Sequence, residues 1–245
     1  MSTLGLTLSS LLLTCSVALP AETEFETDAI STSKGDLKIT FIGHGTLMFE
    51  FGGMVIHVDP VSRYADYSKM PKADVVLVTH EHGDHLDKET IEKIATKDTV
   101  VVLTEACKER SQAGEVMKNG DVKNVKGLKI EAVPAYNIVH MRGPERPFHP
   151  KGAGNGYVIT FGKTRVYVAG DTENIPEMSK LAGVDIAFLP MNLPYTMTPE
   201  MVADAAKTLK PKILYPYHFG KTDTSKLVDL LKDFKDTDVR IRKLQ

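Results

Sequence analysis

The stretch Asp74-Val75-Val76-Leu77-Val78-Thr79-His80-Glu81-His82-Gly83-Asp84-His85 joins an apolar run to a cluster of metal-capable side chains. Its first half has the continuous β-branched and apolar character of a buried strand. Its second half offers imidazole nitrogens and a carboxylate oxygen, which are donors that first-row divalent metals prefer. Because alternate residues of an extended segment point to the same side, His80 and His82 can bind one ion together. Asp84 and His85 then remain for a second ion.

Two more metal-capable residues follow strand-like segments further along the chain. Asp171 comes after the β-rich run 164–169, and His218 follows the apolar run 212–215. Asp171 alone would be interpreted as a helix cap or a turn residue. Open α/β sheets gather their ligands at the carboxyl ends of their strands, however. The shared position after a strand therefore predicts that all of these groups meet at one site.

With these residues the chain resembles the metallo-β-lactamase fold hydrolases, from about Leu37 to the C-terminus. The resemblance implies a layered α/β fold, the αββα sandwich, with metals at the edges of two packed sheets. It also implies two divalent metal ions, zinc first, with manganese or iron as alternatives. The segments 41–46 and 59–60 are similar to the branch that contains ascorbate-phosphate lactonase and N-acyl-phosphatidylethanolamine phospholipase D.

The resemblance assigns a role to each metal-capable residue. The implied ligands are His80 and His82 for the first metal, Asp84, His85 and His218 for the second, and Asp171 as the bridge. Asp84 is also expected to orient the attacking water, which makes it the candidate catalytic residue. His44 and Tyr195 are the candidates for substrate contacts or for supporting the ligands, and Asn137 is a candidate substrate contact. A hydrogen-bonded core position is an almost equal alternative for His44.

The third ligand of the first metal departs from the family pattern. Relatives in the similar branch carry a histidine after a Pro-Ala pair, whereas this chain reads Pro134-Ala135-Tyr136-Asn137, and an amide is a poor ligand for zinc. We expect His149 to replace it, because a long loop can fold back over a site and loops often carry functional groups. His140 and the carbonyl oxygen of Asn137 are the alternatives, or the first site is weak.

The chemistry expected of this site is hydrolysis. Two cations that share a water lower its pKa toward neutrality, which yields a metal-bound hydroxide that can attack an ester, lactone or phosphodiester. Cys107 is interpreted as a packing residue and not as a nucleophile. A mono-iron oxygen-chemistry enzyme on the same fold and a non-catalytic metal- or ligand-binding module are the alternatives.

Composition agrees with one enzyme domain. At 245 residues, with 42% hydrophobic and 25% charged residues, the chain can bury one substantial core. The formal net charge of −2 and the absence of a basic stripe argue against nucleic acid as a partner. A small-molecule or lipid-derived substrate is expected instead.

The N-terminal segment differs from the rest of the chain. Residues 1–21 have no charge, are leucine-rich and end in small residues, which predicts an export signal and a periplasmic protein. Export signals normally begin with basic residues, and residues 1–21 contain none. A cytoplasmic protein with an apolar leader is therefore the alternative. Leu12-Leu13-Thr14-Cys15 loosely resembles a lipoprotein box, which would anchor the protein to a membrane. Residues 22–36 are interpreted as a polar linker, so that the folded domain is predicted over 37–245.

Local patterns predict several elements of this domain. Gly52-Gly53 between two strand-like runs predicts a hairpin. Asp87 and Thr198 are the predicted N-caps of two helices. Helical spacing of Leu227, Leu230, Leu231 and Phe234 predicts a buried stripe on the last helix. The glycine-rich segment 152–156 is interpreted as a flap hinge beside His149.

Overall fold

The computed structural model of the protein describes Met1 and residues 25–244. Apart from Met1, the predicted export signal over residues 1–21 falls outside the described residues, and so does Cys15. The described residues form two seven-stranded sheets and a two-stranded ribbon. Within this part of the chain, no helix has both the length and the apolar composition needed to cross a membrane.

The first sheet contains seven strands in sequence order. They are β1 Glu26–Thr32, β2 Gly35–Gly43, β3 Thr46–Phe51, β4 Met54–Val58, β5 Val75–Leu77, β6 Val100–Leu103 and β7 Glu115–Val116. Strands β1 to β4 are antiparallel neighbours, and β4 to β7 are parallel neighbours. Strands β2, β4 and β5 therefore end at the same edge of the sheet.

The second sheet has the order β16-β15-β14-β13-β12-β9-β8. Its strands are β8 Val122–Val125, β9 Leu128–Ala135, β12 Gly154–Phe161, β13 Thr164–Val168, β14 Ile186–Pro190, β15 Ile213–Tyr217 and β16 Asp238–Val239. Strands β13 to β16 are parallel, so their carboxyl ends share one edge. The ribbon pairs β10 Met141–Gly143 with β11 Arg146–Pro147 and lies between β9 and β12 in the chain.

Helices cover the outer faces of both sheets. They are α1 Lys88–Ile94, α2 Glu105–Ser111, α3 Pro199–Leu209 and α4 Ser225–Leu231, with a 3-10 helix over Pro176–Leu181. In β5, Val75 and Leu77 pack in the core between the sheets, whereas Val76 packs outward with residues of α1 and α2. Burial on both faces explains why this strand is a continuous apolar run. The predicted single-domain αββα sandwich is confirmed.

The predicted hairpin and both helix caps are confirmed. Gly52 and Gly53 join β3 to β4 with φ values of 57° and 82°, which a two-residue hairpin turn of this kind requires. The Asp87 side chain accepts a hydrogen bond from the backbone N–H of Thr90 at the start of α1. The Thr198 side chain caps α3 in the same way.

The predicted linker over residues 22–36 is wrong where the structure describes β1. This strand pairs along its whole length with β2. It lacks an apolar pattern because it lies at the edge of the sheet and exposes alternate residues. Its Asp28 binds Arg242, with 2.7 Å between Oδ2 and Nη2, so a charged contact also stabilises this edge.

Two further expectations need correction. Helix α4 ends at Leu231, and Leu230 is 43% exposed, so the predicted stripe is buried only at Leu227 and Leu231. The segment 154–156, predicted as part of a hinge, lies inside β12 and is buried. A Cβ atom on Gly156 would lie 2.7 Å from the Ala169 carbonyl oxygen. This glycine therefore permits close backbone packing and does not provide a hinge.

Candidate metal centre

The metal-capable residues converge where strands of both sheets end. Three of the residues at this edge, His44, Asp59 and His218, directly follow β2, β4 and β15 and have positive φ values of 53°, 46° and 47°. Such backbone conformations are unfavourable for residues other than glycine and are frequent at functional sites. The backbone N–H of His218 donates to the carbonyl oxygen of His44 at 3.0 Å, which joins the two sheets beside the centre.

His80, His82 and His149 form the first ligand-capable cluster. One ring nitrogen of each lies within 4.8 Å of those of the other two. His80 Nε2 and His82 Nδ1 are 3.1 Å apart, and the His149 ring lies 5.0 Å from each of the other rings. Burial lowers the pKa of His80 well below its ordinary value, which favours the neutral imidazole that binds metals. The structure thus brings the expected replacement His149 to the predicted pair.

Asn137 supports His149 from behind. Its Oδ1 accepts hydrogen bonds from the His149 backbone N–H at 2.9 Å and from His149 Nδ1 at 2.6 Å. Since an amide oxygen only accepts, the proton lies on Nδ1 and leaves Nε2 facing the centre. The Asn137 amide nitrogen donates to Glu173 and to the Tyr195 carbonyl oxygen. Both polar atoms of the Asn137 side chain thus already have protein partners. Asn137 was predicted as a substrate contact, and the structure corrects this to a supporting role.

His140, the other histidine considered as the third ligand, belongs to a different hydrogen-bond network. Its Nδ1 lies 2.8 Å from Oε1 of Glu173, and His140 is absent from the ligand-capable clusters of the described residues. The buried Glu173 also accepts hydrogen bonds from the backbone N–H groups of residues 138, 139 and 140 at 2.7 to 2.8 Å. Burial would raise the pKa of Glu173, but the Asn137 amide and these N–H groups hold it below its ordinary value. Sequence reasoning missed this carboxylate, which organises the loop that carries Asn137.

His44, Asp84, His85 and His218 form the second cluster. Asp84 Oδ2 lies 3.2 Å from His44 Nε2, 3.6 Å from His218 Nε2 and 3.8 Å from His85 Nε2. Burial would raise the pKa of Asp84, but the nearby His218 and the hydrogen-bonded His44 lower it far below its ordinary value. The three predicted second-metal residues are therefore together. His44, predicted as a substrate contact or a core residue, lies against this carboxylate.

Asp171 lies between the two clusters. Its Oδ1 is 3.4 Å from Nε2 of His85 and 3.4 Å from Nε2 of His218. Its Oδ2 is 3.2 Å from Nε2 of His149 and 3.8 Å from Nε2 of His80. Burial opposes ionisation, but the surrounding histidines hold the pKa of Asp171 well below its ordinary value. A single ionised carboxylate thus faces histidines of both clusters, the position predicted for the bridge.

The donor atoms at the middle of the centre fit bound cations. Among the described residues, His85 Nε2, His218 Nε2 and Asp171 Oδ1 are buried and have no hydrogen-bond partner. Buried polar atoms are normally satisfied, and Asp171 Oδ1 lies 3.4 Å from each of the two histidine nitrogens. Imidazole and carboxylate donors suit zinc, manganese and iron. The residues present can therefore hold divalent metal ions in both clusters.

Asp59 is a supporting residue to which the sequence analysis assigned no role. It is fully buried directly after β4, and its Oδ2 lies 2.7 Å from His85 Nδ1. Thr79 donates to both Asp59 oxygens, from its backbone N–H at 2.8 Å and its hydroxyl at 2.7 Å. Burial would lower the pKa of His85, but Asp171 and Asp59 raise it to about 9. Asp59 thereby orients the His85 ring so that Nε2 faces the centre.

An Asp59→Asn variant should bind metal more weakly than the wild type. The amide replaces one of the two Asp59 oxygens, which accept from Thr79 and His85, by an N–H group, so at least one buried donor loses its acceptor. We expect the metal affinity of the second cluster, which contains His85, to fall about 10- to 100-fold. The free energy of unfolding of the metal-free protein should fall by about 1–3 kcal/mol. Chelator competition and urea unfolding measure these two quantities.

Asp66→Asn is the matched control for this variant. Asp66 lies in the same connection between β4 and β5, and its side chain binds Ser68 at the surface, with 3.1 Å to the Ser68 backbone nitrogen and 2.6 Å to its hydroxyl. This substitution should leave metal affinity unchanged. Equal losses in the two variants would contradict the orienting role of Asp59.

A cavity of about 330 Å³ opens onto the two clusters. Five ligand-capable residues line it, namely His82, Asp84, His149, Asp171 and His218. His44 and Tyr195, two of the predicted substrate contacts, also line it. Tyr195 is 45% exposed and packs edge-on against Phe148 at 5.0 Å. Ligand-capable residues of both clusters therefore line one cavity.

Comparison with known proteins agrees with this arrangement. Residues 38–218 match the family model described as Beta-lactamase superfamily domain. The chain belongs to the metallo-β-lactamase superfamily. A UPF0173 metal-dependent hydrolase from Pelotomaculum thermopropionicum is 31% identical over 195 residues, covering 75% of this chain and 85% of the relative.

Two solved structures extend the comparison of this superfamily member. The first is a protein from Parabacteroides distasonis, which is described as a metal-dependent hydrolase. It is 51% identical, with a TM-score of 0.87, and the match covers 91% of this chain and 100% of that chain. The metallo hydrolase Igni18 from Ignicoccus hospitalis is 25% identical with a TM-score of 0.70, covering 85% and 95%. The present protein is thus a metal-dependent hydrolase of this superfamily.

Proposed function

We propose that this hydrolase binds two divalent metal ions, zinc in the first place, and cleaves an ester, lactone or phosphodiester. The position of Asp171 carries the proposal, because its two oxygens face histidines of separate clusters. The ligands proposed for the first ion are His80, His82 and His149, those for the second are Asp84, His85 and His218, and Asp171 is shared. This assignment gives every unpartnered donor atom at the middle of the centre a ligand role.

Water is the proposed nucleophile. None of the described residues that line the cavity is a serine, threonine or cysteine. Cys107 is fully buried in α2, and burial raises the pKa of its thiol to about 11, which keeps it protonated. When bound, divalent ions lower the pKa of a coordinated water and stabilise developing negative charge on the substrate.

Asp84 is the proposed catalytic residue. Its carboxylate is ionised and lies at the cavity wall, where it can accept a hydrogen bond from the attacking water and orient it. His44 Nε2, at 3.2 Å from Asp84 Oδ2, can donate to that carboxylate and restrict its rotation. The ring of His44 also packs against His218, with 3.7 Å between the ring centroids. We therefore assign His44 to positioning Asp84 beside the substrate.

The size and the surroundings of the cavity support a small-molecule or lipid-derived substrate. A volume of about 330 Å³ accommodates a small molecule or the reactive end of a longer one. Tyr195 is 45% exposed and lines the cavity, so an apolar portion of the substrate can contact its ring. Export to the periplasm remains a proposal that depends on residues 1–21.

Removal of metal should abolish hydrolysis reversibly. We expect dipicolinate-treated protein to lose turnover of both bis-p-nitrophenyl phosphate and p-nitrophenyl acetate, and zinc or manganese to restore turnover of at least one. Mass spectrometry of the metals should find two ions per chain. Undiminished turnover in metal-free protein, or no recovery after metal return, would contradict the proposal. One iron per chain without hydrolysis would favour oxygen chemistry, and bound metal without any turnover would favour a binding module.

A further inference from the structure

Two arginines, Arg63 and Arg142, line the cavity beside the proposed metal ligands. Arg63 lies in the connection after β4, and Arg142 belongs to β10 of the ribbon, so the two reach the cavity from different elements. Within residues 25–244, neither forms an ion pair with a carboxylate, whereas Arg240 and Arg242 both bind Asp28. The guanidinium groups of Arg63 and Arg142 are thus available to an anion.

Both arginines adjoin aromatic side chains next to the centre. The Arg142 guanidinium carbon lies 5.6 Å from the ring centroid of Phe148, which immediately precedes His149. Tyr64 stacks on His44, with 5.5 Å between the ring centroids and 26° between the planes. Burial raises the pKa of Tyr64, and the neighbouring Arg63 guanidinium opposes that rise. Each arginine therefore adjoins an aromatic ring beside a histidine of the centre.

The charges that line the cavity favour an anionic ligand. Its acidic side chains are Asp84 and Asp171, and both are proposed metal ligands. Bound divalent ions would offset these carboxylates, so the two guanidinium groups are not neutralised by the cavity wall. Guanidinium groups bind phosphate oxygens through paired N–H donors, and two of them suit a group with several oxygens.

We propose that Arg63 and Arg142 bind an anionic phosphoryl group of the substrate beside the metal centre. This inference rests on the proposed function and selects the phosphodiester among the three substrate classes named there. A neutral ester or lactone would offer neither guanidinium group a charged partner. Binding of the phosphoryl oxygens would also direct the scissile bond toward Asp84, which lines the same cavity.

The test compares Arg63→Gln, Arg142→Gln and the double variant with Arg146→Gln. Arg146 lies in β11 of the same ribbon and does not line this cavity, so its substitution removes the same charge at a matched position. With zinc-loaded protein, kcat/KM for bis-p-nitrophenyl phosphate should fall about 10- to 100-fold in each single variant. Turnover of p-nitrophenyl acetate should stay within twofold, and Arg146→Gln should resemble the wild type with both substrates.

Calorimetric titration of zinc-loaded protein with phenylphosphonate gives a readout that does not depend on turnover. Its Kd should rise about 10-fold or more in each single variant and not in Arg146→Gln. Benzoate, a carboxylate of similar size, should bind more weakly and with less dependence on the two arginines. Phenylphosphonate binding that is undetectable in the wild type, unchanged in the variants or equalled by benzoate would overturn the inference.

The two substrates separate failure of this inference from failure of the proposed function. Equal losses with the anionic and the neutral substrate would indicate a structural role for the arginines and overturn the inference alone. If the zinc-loaded wild type cleaves neither of these two substrates nor any other ester or phosphodiester in a broad panel, the proposed hydrolysis fails. The phenylphosphonate titration then still decides whether the arginines bind a phosphoryl group.

Discussion

An Asp171→Asn variant is expected to lose both metal binding and turnover. Asp171 is the residue whose oxygens contact histidines of both clusters, at 3.2 to 3.8 Å. Asparagine keeps the shape but removes the negative charge and one of the two acceptor oxygens. Outer-shell partners of metals contribute about 10- to 100-fold in affinity, so loss of a shared ligand should exceed about 100-fold. Metal content after gel filtration and kcat/KM measure the effect.

Asp185→Asn is the control for this charge change. Asp185 directly precedes β14, at the opposite edge of the same sheet, and accepts a hydrogen bond from the Arg165 backbone N–H at 2.8 Å. This control should retain two ions per chain and wild-type turnover. An Asp171→Asn variant that keeps two ions and full turnover would refute the shared ligand. A circular dichroism spectrum that matches the wild type would exclude misfolding as the cause of a loss.

A His149→Ala variant should lose one of the two ions. Removal of the His149 imidazole leaves only His80 and His82 in the first cluster. Asp84, His85 and His218 remain for the second ion. We expect the metal content to fall from two ions to one and kcat/KM to fall more than about 100-fold, because a direct ligand exceeds the effect of an outer-shell partner. Mass spectrometry of the metals and steady-state kinetics test both expectations.

His140→Ala is the matched control, because His140 was the alternative ligand from the same loop. Its Nδ1 contacts Glu173 and not the first cluster. This variant should keep two ions per chain and lose little turnover. The reverse pattern, with one ion lost from His140→Ala and none from His149→Ala, would assign the third ligand to His140.

Much of the fold and of the centre could be predicted from local sequence. The run before His80 is apolar on both faces because β5 is covered on both sides, and the metal motif follows it directly. Asp171 and His218 were also recognisable, since each follows a strand of the second sheet. Parallel strands end at one edge, so residues that follow them are brought together without knowledge of loop conformation.

Other features depend on contacts between segments far apart in the chain. Strand β1 was missed because it carries no apolar pattern. Its charged Asp28 pairs with Arg242, more than 200 residues later in the chain. Asp59 was visible after a strand, but its contact with His85 arises only when β4 and β5 pair. Glu173 had no local signal, because its partners lie on the loop after β9.

The sequence by itself determined which donors this protein offers and where most of them lie, since strand periodicity and strand ends are local properties of the chain. Only the tertiary structure decided that His149 and not Asn137 or His140 joins the first cluster. That choice depends on the loop between β9 and β12, whose path follows from hydrogen bonds to the buried Glu173 and from Asn137 to His149. Those bonds link residues 12 to 36 positions apart in the chain, so no local pattern contains them.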